Sequence, residues 1–331
     1  MKKKPAQKKT DAKEPAGRPP MLLPGLGGAP WAPKPKPMTR MDMERFNRAI
    51  AKIMSEREFE SDAEAQAFLS SLIQGGSMDA VLDQVPLDPE EEAQNLIYEA
   101  MEADSTAEAR LLCRKALKLD PHCVDALVMQ ARLESPSEED LVDHLTAIVR
   151  GAEERFGSEY MEEHRGHFWG IVETRPYMRA RMLLAEELIE LGDIASAATE
   201  LEGMLALNPN DNQGVRDLLR GLYLELENLE GVRMLNQAYD DATFAIPAWS
   251  AILERWMSGD PKGAAKRARA AHKRNRHVVH YLLGEREIPL DRPEFYSLGD
   301  EREAILCVHL LGTAWYASEG AVAWLRGLNL K

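Results

Sequence analysis

The stretch richest in chemically capable side chains is GHFWGIVETRPYM, from Gly166 to Met178. His167, Trp169, Glu173 and Arg175 place a titratable ring, an aromatic face, a carboxylate and a guanidinium on one short connector, a set that could hold and polarise a small ligand. On that reading the chain is a regulatory small-ligand sensor or a hydrolase-like enzyme. The alternative is an irregular connector whose aromatics fill space beside the preceding helix. Metal chemistry has weaker support. His164 and His167 sit three apart after Glu162 and Glu163, but no second cluster completes a ligand set. His272, His277 and His280 lie among Lys273, Arg274 and Arg276, whose charge repels a cation. There is no Gly-rich phosphate loop, nucleophile elbow or metalloprotease helix motif, and Cys123 beside His122 is adjacency, not catalytic geometry. The expectation is a protein that is not an enzyme and takes no metal or cofactor.

The elements that position these residues follow a repeat. Leu184, Leu188, Ala197 and Leu201 recur 34 residues later as Leu218, Leu222, Gly231 and Leu235. Leu184, Ala185, Leu188 and Leu191 make one helical stripe, and Ala197, Leu201, Met204 and Leu205 make a second. Gly192-Asp193 stops the first helix, because glycine accepts the left-handed backbone that a helix end needs. Pro209 ends the second, since proline has no N–H to continue it. Weaker copies flank this unit. Leu96, Ala100, Ala109, Cys113, Ala116 and Pro121 lie 88 residues earlier, and Gly259-Asp260 with Ala264, Ala268 and Ala271 lie 67 later. Between them, Val124 to Phe156 reads as a short helix, a Ser135-Pro136-Ser137 break and a long helix with Leu141, Leu145, Ile148, Val149 and Ala152 inward.

The unit resembles a tetratricopeptide repeat (TPR), with Gly192, Asp193, Ala197, Leu201 and Pro209 at the signature places. With LNPNDNQGVR, HYLLG and DRPEFYSLGDEREA, the chain from roughly Pro89 to Leu325 is similar to a group of bacterial TPR-type proteins. The resemblance implies an all-α solenoid of helical hairpins and carries no particular activity. Four regions are expected: a disordered Lys/Pro-rich tail (1–38), a short helical segment and linker (39–88), TPR-like repeats (89–276) and C-terminal capping helices (277–331). In the second region, Phe46, Ile50 and Ile53 or Met54 form a stripe, Ser61 opens a second helix, and a helical turn is expected near Met78 to Leu82. At the C-terminus, Ile305, Leu306, Leu310 and Trp315, then Val322, Trp324 and Leu325, are expected to close an open end of the array.

Charge and cysteine content bound the partners. The net charge is −14, yet Met1 to Arg40 hold ten Lys or Arg against two acids, about +8, which leaves −22 for the rest. An acidic body argues against nucleic acid, whose phosphates draw on clustered cations. The basic tail and the helix Lys262 to His277 are what a nucleic-acid-associated factor would use, although that helix lacks the aromatics that stack on bases. Its alanines point inward, so its cations read as a solvated or internally paired face. The three cysteines do not all pair, Cys113 falls on a core stripe, and no apolar run approaches a membrane span of about 20 residues. A cytoplasmic protein that meets no membrane is expected.

The leading function is a protein-interaction module or adaptor. With Leu184 and Leu188 inward, Arg179, Met182 and Glu186 fall on the face a groove would use, and Gln213, Arg216 and Arg220 hold matching places in the next unit. Arg175 extends the row. Guanidinium groups grip carboxylates in pairs of hydrogen bonds, so Arg175, Arg179, Met182, Arg216 and Arg220 are candidates for holding an acidic or C-terminal peptide of a partner. The arrangement is similar in kind to the TPR domains that hold chaperone tails, without their lysines. The competing reading pairs Arg175 and Arg179 with Glu173, Glu186 or other acids of the fold. For the tail, limited trypsin digestion should remove about the first forty residues and leave a cooperatively melting body; a protected tail would overturn that expectation.

Overall fold

The computed structural model describes residues 39–75, 81–82, 88–239 and 241–330. The expectations for the tail 1–38, and for most of the turn near Met78, lie outside the described residues. Within them the protein is all-α, with fifteen α-helices and no strand. Two helices come first, α1 (Arg40–Ser55) and α2 (Asp62–Gly75). Five hairpins follow: α3 (Pro89–Met101) with α4 (Thr106–Leu119), α5 (Val124–Glu134) with α6 (Glu138–Glu163), α7 (Arg175–Glu190) with α8 (Ile194–Leu207), α9 (Val215–Glu225) with α10 (Leu229–Ala238), and α11 (Ala245–Met257) with α12 (Pro261–Arg274). A 3-10 turn, Val172–Thr174, leads into α7, and α13 (His277–Leu282), α14 (Glu301–Ala317) and α15 (Ala321–Gly327) complete the chain.

The hairpins start and stop where side chains satisfy helix-end groups. Asp193 accepts from the Ser196 amide at 3.2 Å and Ser105 from Glu108 at 3.2 Å, each replacing a missing intrahelical acceptor. Gly192 takes φ of 77°, which lets the chain reverse between α7 and α8 without a Cβ penalty. Leu184, Ala185, Leu188, Ala197 and Leu201 are buried, as are Leu218, Leu222, Gly231 and Leu235 one unit later. Each hairpin thus covers its neighbour's apolar stripe.

Leu141, Ile148, Leu191 and Leu205, expected inward, are half-buried, and three further stripes differ from the sequence expectation. In α3, Ala93, Ile97, Tyr98 and Ala100 go inward while Leu96 is half-buried. In α1 the buried residues are Glu44 and Ala49, and Phe46, Ile50 and Ile53 are only half-covered, because α1 rests on α3 through its charged side. In α14 the inward residues are Ala304, Cys307, Val308, Leu311, Ala314 and Trp315, with Ile305, Leu306 and Leu310 half-buried. The reason is where α14 goes: it lies along α9 and α11, the first helices of two hairpins, as well as against α13. Trp315 meets Trp249 of α11 edge-on at 5.8 Å, and both are fully buried. α6 is also broken, at Gly157 with φ 74° and ψ 156°.

The crossing of α9 and α14 is so close that a Cβ on Gly221 would stand 2.2 Å from the Leu310 carbonyl oxygen. Backbone cannot yield there as a side-chain tip can. Gly221→Ala should therefore lower the denaturant midpoint clearly, and Ala197→Leu, at a site with 0% exposure, should cost about 1–3 kcal/mol by overpacking. Midpoints equal to wild type for both would contradict these crossings.

Candidate functional site

Arg175 and Arg179 stand one turn apart in the first half of α7. Arg179 reaches back to α5, where its Nε donates to Asp125 Oδ1 at 3.1 Å and its Nη2 to Oδ2 at 2.5 Å. This planar, two-bond grip fixes the guanidinium. Asp125 is held in turn by Gln94 Nε2 of α3 at 2.8 Å. The remaining Arg179 nitrogen, Nη1, donates to Glu44 Oε1 of α1 at 2.6 Å. The Tyr98 hydroxyl of α3 donates to the same oxygen at 2.9 Å. Arg175 Nη1 lies 3.8 Å from Glu44 Oε2, while its Nε donates to the Trp169 carbonyl at 3.0 Å and its guanidinium lies 5.5 Å from the centre of the Trp169 ring.

Two elements, α3 and α7, therefore meet the Glu44 carboxylate of α1, and α5 orients Arg179 through Asp125. Glu44 is 5% exposed and Asp125 2%. Burial pulls the Arg179 guanidinium downward, but the Asp125 and Glu44 carboxylates outweigh it and raise its pKa, so the cation persists. Burial, with the Glu44 charge adding to it, pushes the Tyr98 phenol up, so it stays a hydrogen-bond donor. What this arrangement does chemically is bind a carboxylate with little water present.

The GHFWG connector is packed into the fold. Phe168 and Thr174 are fully buried, Trp169 is half-buried, and His167 and Glu173 are exposed. The Phe168 amide donates to the Leu207 carbonyl at 3.2 Å, and the Thr174 hydroxyl donates to the carbonyls of Phe168 and Ile171. The Phe168 ring packs on Tyr177 at 5.9 Å and Phe156 at 6.0 Å. A cavity of about 690 Å³ between α5 and α6 and another of about 600 Å³ among α10, α11 and α12 are lined without His167, Trp169 or Glu173. Trp169 serves the site only through its carbonyl and ring under Arg175.

The arginine row divides. Arg220 has 0% exposure: Nη2 donates to both Asp241 oxygens at 3.0 and 3.1 Å, Nε to Asn236 Oδ1 at 2.9 Å, and Nη1 to Asp217. Arg216 is held by Asp211 at 3.0 Å and Asp241 at 2.9 Å, beside the Tyr239 ring at 4.9 Å. The 34-residue register predicts both on a partner-facing row. The structure instead buries Arg220 and leaves Arg216 half-buried, each paired within the fold. Cations leaving water take the carboxylates nearest in space, and Asp241 folds back from beyond α10 to supply one. Met182 is half-buried against the main core, and Gln213 donates to the Met178 carbonyl at 3.3 Å. Arg179 is internally paired too, with Asp125 and Glu44 in place of Glu173 or Glu186.

Sequence reasoning missed Glu44, Tyr98, Gln94 and Asp125. Glu44 and Arg179 are 135 residues apart, and no local period links them. The one available signal was Asp125, a lone acid among Val124, Ala126 and Leu127 at a helix start.

Among the described residues, no ion pair forms on Lys262, Lys266, Arg267, Arg269, Lys273 or Arg276, so these cations of α12 and its end are solvated rather than internally paired. Cys113, Cys123 and Cys307 are all buried free thiols; burial pushes Cys123 up to about 12 and raises the other two. Cys113 donates to the Ala126 carbonyl at 3.3 Å, inside the core of the first hairpin. No cluster of three or more His, Cys, Asp or Glu among the described residues is placed to hold a metal ion, and no helix there is long and apolar enough to cross a membrane. No protein-family model matches the chain, and no curated protein matches it. The geometry alone carries the functional reading.

Arg179→Ala should strand two buried carboxylates, Glu44 and Asp125, and cost about 3–5 kcal/mol in a melting or denaturant experiment. Arg179→Lys should recover only part, since an ammonium cannot bridge Asp125 and Glu44 in the same plane. A wild-type midpoint for the alanine variant would show that the network contributes nothing to folding.

Proposed function

We propose that the chain is a protein-interaction module built on TPR-like hairpins, and that it recognises a helical segment of a partner through a carboxylate. One observation supports this reading most directly. The first helices α3, α5 and α7 together make a receptor for one carboxylate, and that receptor is filled by a side chain from a helix lying outside the hairpins. Stacked hairpins present their first helices as a common face, and such faces bind chain segments without chemistry. The face over α9 and α11 is covered by α14 through apolar packing, so the α3–α7 end is where a partner fits.

Arg175 is the residue that separates recognition from folding. It meets Glu44 only at 3.8 Å, and its other contacts are a carbonyl and a ring. The tagged full chain, purified from its native host, should bring down a reproducible set of proteins. Arg175→Ala should lose that set while its melting temperature stays within about 2 °C of wild type, as expected for a substitution worth less than about 1 kcal/mol in a chain of this size. An unchanged set with Arg175→Ala would remove the arginine receptor from the reading.

A further inference from the structure

The receptor is assembled by the hairpins, whereas the carboxylate is delivered by α1. Arg179 is oriented by Asp125, Asp125 by Gln94, and Arg175 by the Trp169 carbonyl, and none of these contacts involves α1. Each arginine has one nitrogen directed at Glu44, and Tyr98 contributes its hydroxyl. Such a site is preorganised, so little ordering remains to be done when a carboxylate enters.

α1 itself is attached in a distinctive way. It runs antiparallel to α3, with Arg45 on Glu99 and the Asn95 carbonyl, Arg48 on Glu91 at 2.7 and 3.1 Å, and Lys52 on Asp88 at 2.5 Å. Only Glu44 and Ala49 of its residues are buried. None of its side chains belongs to the main apolar core, and Met41 alone packs against the smaller cluster of α3, α4 and α5. The helix thus rests on the 3-10 turn Val172–Thr174 and on α3, and is tied down by one buried carboxylate and a ladder of ion pairs. The outer two pairs, Arg45–Glu99 and Lys52–Asp88, have half-exposed acids, contribute little each and weaken with salt. The two-bond Arg48–Glu91 pair is largely buried and is the main tie to α3.

We propose that α1 is an internal occupant of the partner site: a helix of like chemistry on another protein displaces it and seats its own carboxylate between Arg175, Arg179 and Tyr98. This rests on the interaction-module reading above and names the partner's chemistry. The displacing segment is an amphipathic helix with a Glu followed by basic residues one, four and eight positions on, as Glu44 is followed by Arg45, Arg48 and Lys52. The bases meet Glu99, Glu91 and Asp88 of α3.

The test uses the full chain and a fluorescent synthetic peptide of residues 40–55. Three proteins are compared: wild type, Glu44→Gln with Arg48→Ala, and the milder Lys52→Ala, which leaves the receptor intact. Hydrogen–deuterium exchange reports whether α1 opens while α3 and α7 stay protected. The expected result is exchange in α1 at least tenfold faster in the double variant, and peptide binding at least tenfold tighter than to wild type. Lys52→Ala should fall between them, and a peptide carrying Glu44→Gln should bind at least tenfold more weakly to the double variant. Equal peptide affinity for wild type and both variants would overturn the proposal, because α1 would then not compete. So would an α1 that stays protected in both variants, or one that opens without any gain in peptide binding. If the double variant loses protection in α3 and α7 as well, Lys52→Ala alone decides by the same criteria. A dimer seen by light scattering when α1 is loosened would assign the site to a second copy of the chain and overturn the separate partner. Failure of these arms with Arg175→Ala still losing its co-purifying proteins sinks only the α1 mimicry. Failure together with an unchanged co-purifying set sinks the interaction reading itself.

Discussion

A single hairpin in this chain cannot bury both of its apolar stripes. Leu184 and Leu188 of α7 and Ala197 and Leu201 of α8 pack together, but the pair still needs α9 and the neighbouring α5 and α6 to close its remaining faces. Stacking is the physical consequence, and it leaves a problem at each end of the stack. The two ends solve it with different forces. Over α9 and α11, α14 closes the face with Trp315, Leu311 and a glycine contact at Gly221, all apolar or backbone-close. Over α3, α5 and α7, α1 closes it with a carboxylate and cations. Apolar burial is not weakened by ionic screening and is hard to exchange for another chain. Ion pairs differ on both counts.

Buried charge explains why the arginines cluster as they do. Moving a guanidinium out of water costs several kcal/mol unless carboxylates and hydrogen bonds surround it. Arg220, with 0% exposure, meets that demand with Asp217, Asp241 and Asn236 and has nothing left over. Burial also raises the pKa of Asp217, and the nearby Arg220 and Arg216 cations act in the opposite direction. Arg179 meets the same demand with Asp125 and one more carboxylate, and that second partner comes from a separate, lightly attached helix. The two arginines differ in which element supplies the last acceptor.

Much of the architecture was legible in the residues. The caps and breaks are local: Gly192-Asp193, Gly259-Asp260 and Pro209 act on backbone groups within a few residues, so a reading of neighbours along the chain finds them. The 34-residue register found the buried Leu218, Leu222 and Leu235 for the same reason. Reading local apolar stripes failed where a helix has more than one possible inward face. In α14 the inward face was chosen by α9 and α11, and in α1 by the acids of α3, neither of which is near in sequence.

By itself, then, the sequence determined that the chain is helical, where most helices begin and end, and which residues of the central hairpins are core, since each depends on spacings of a few residues or one repeat. Tertiary structure alone decided the fate of the charges. Nothing in RMDMERFNR says that Glu44 meets Arg179, 135 residues on, or that Asp241 folds back onto Arg216 and Arg220. Coulomb attraction has no period and acts on whatever carboxylate the fold brings within a few ångströms, so pairing emerges only once the helices are stacked.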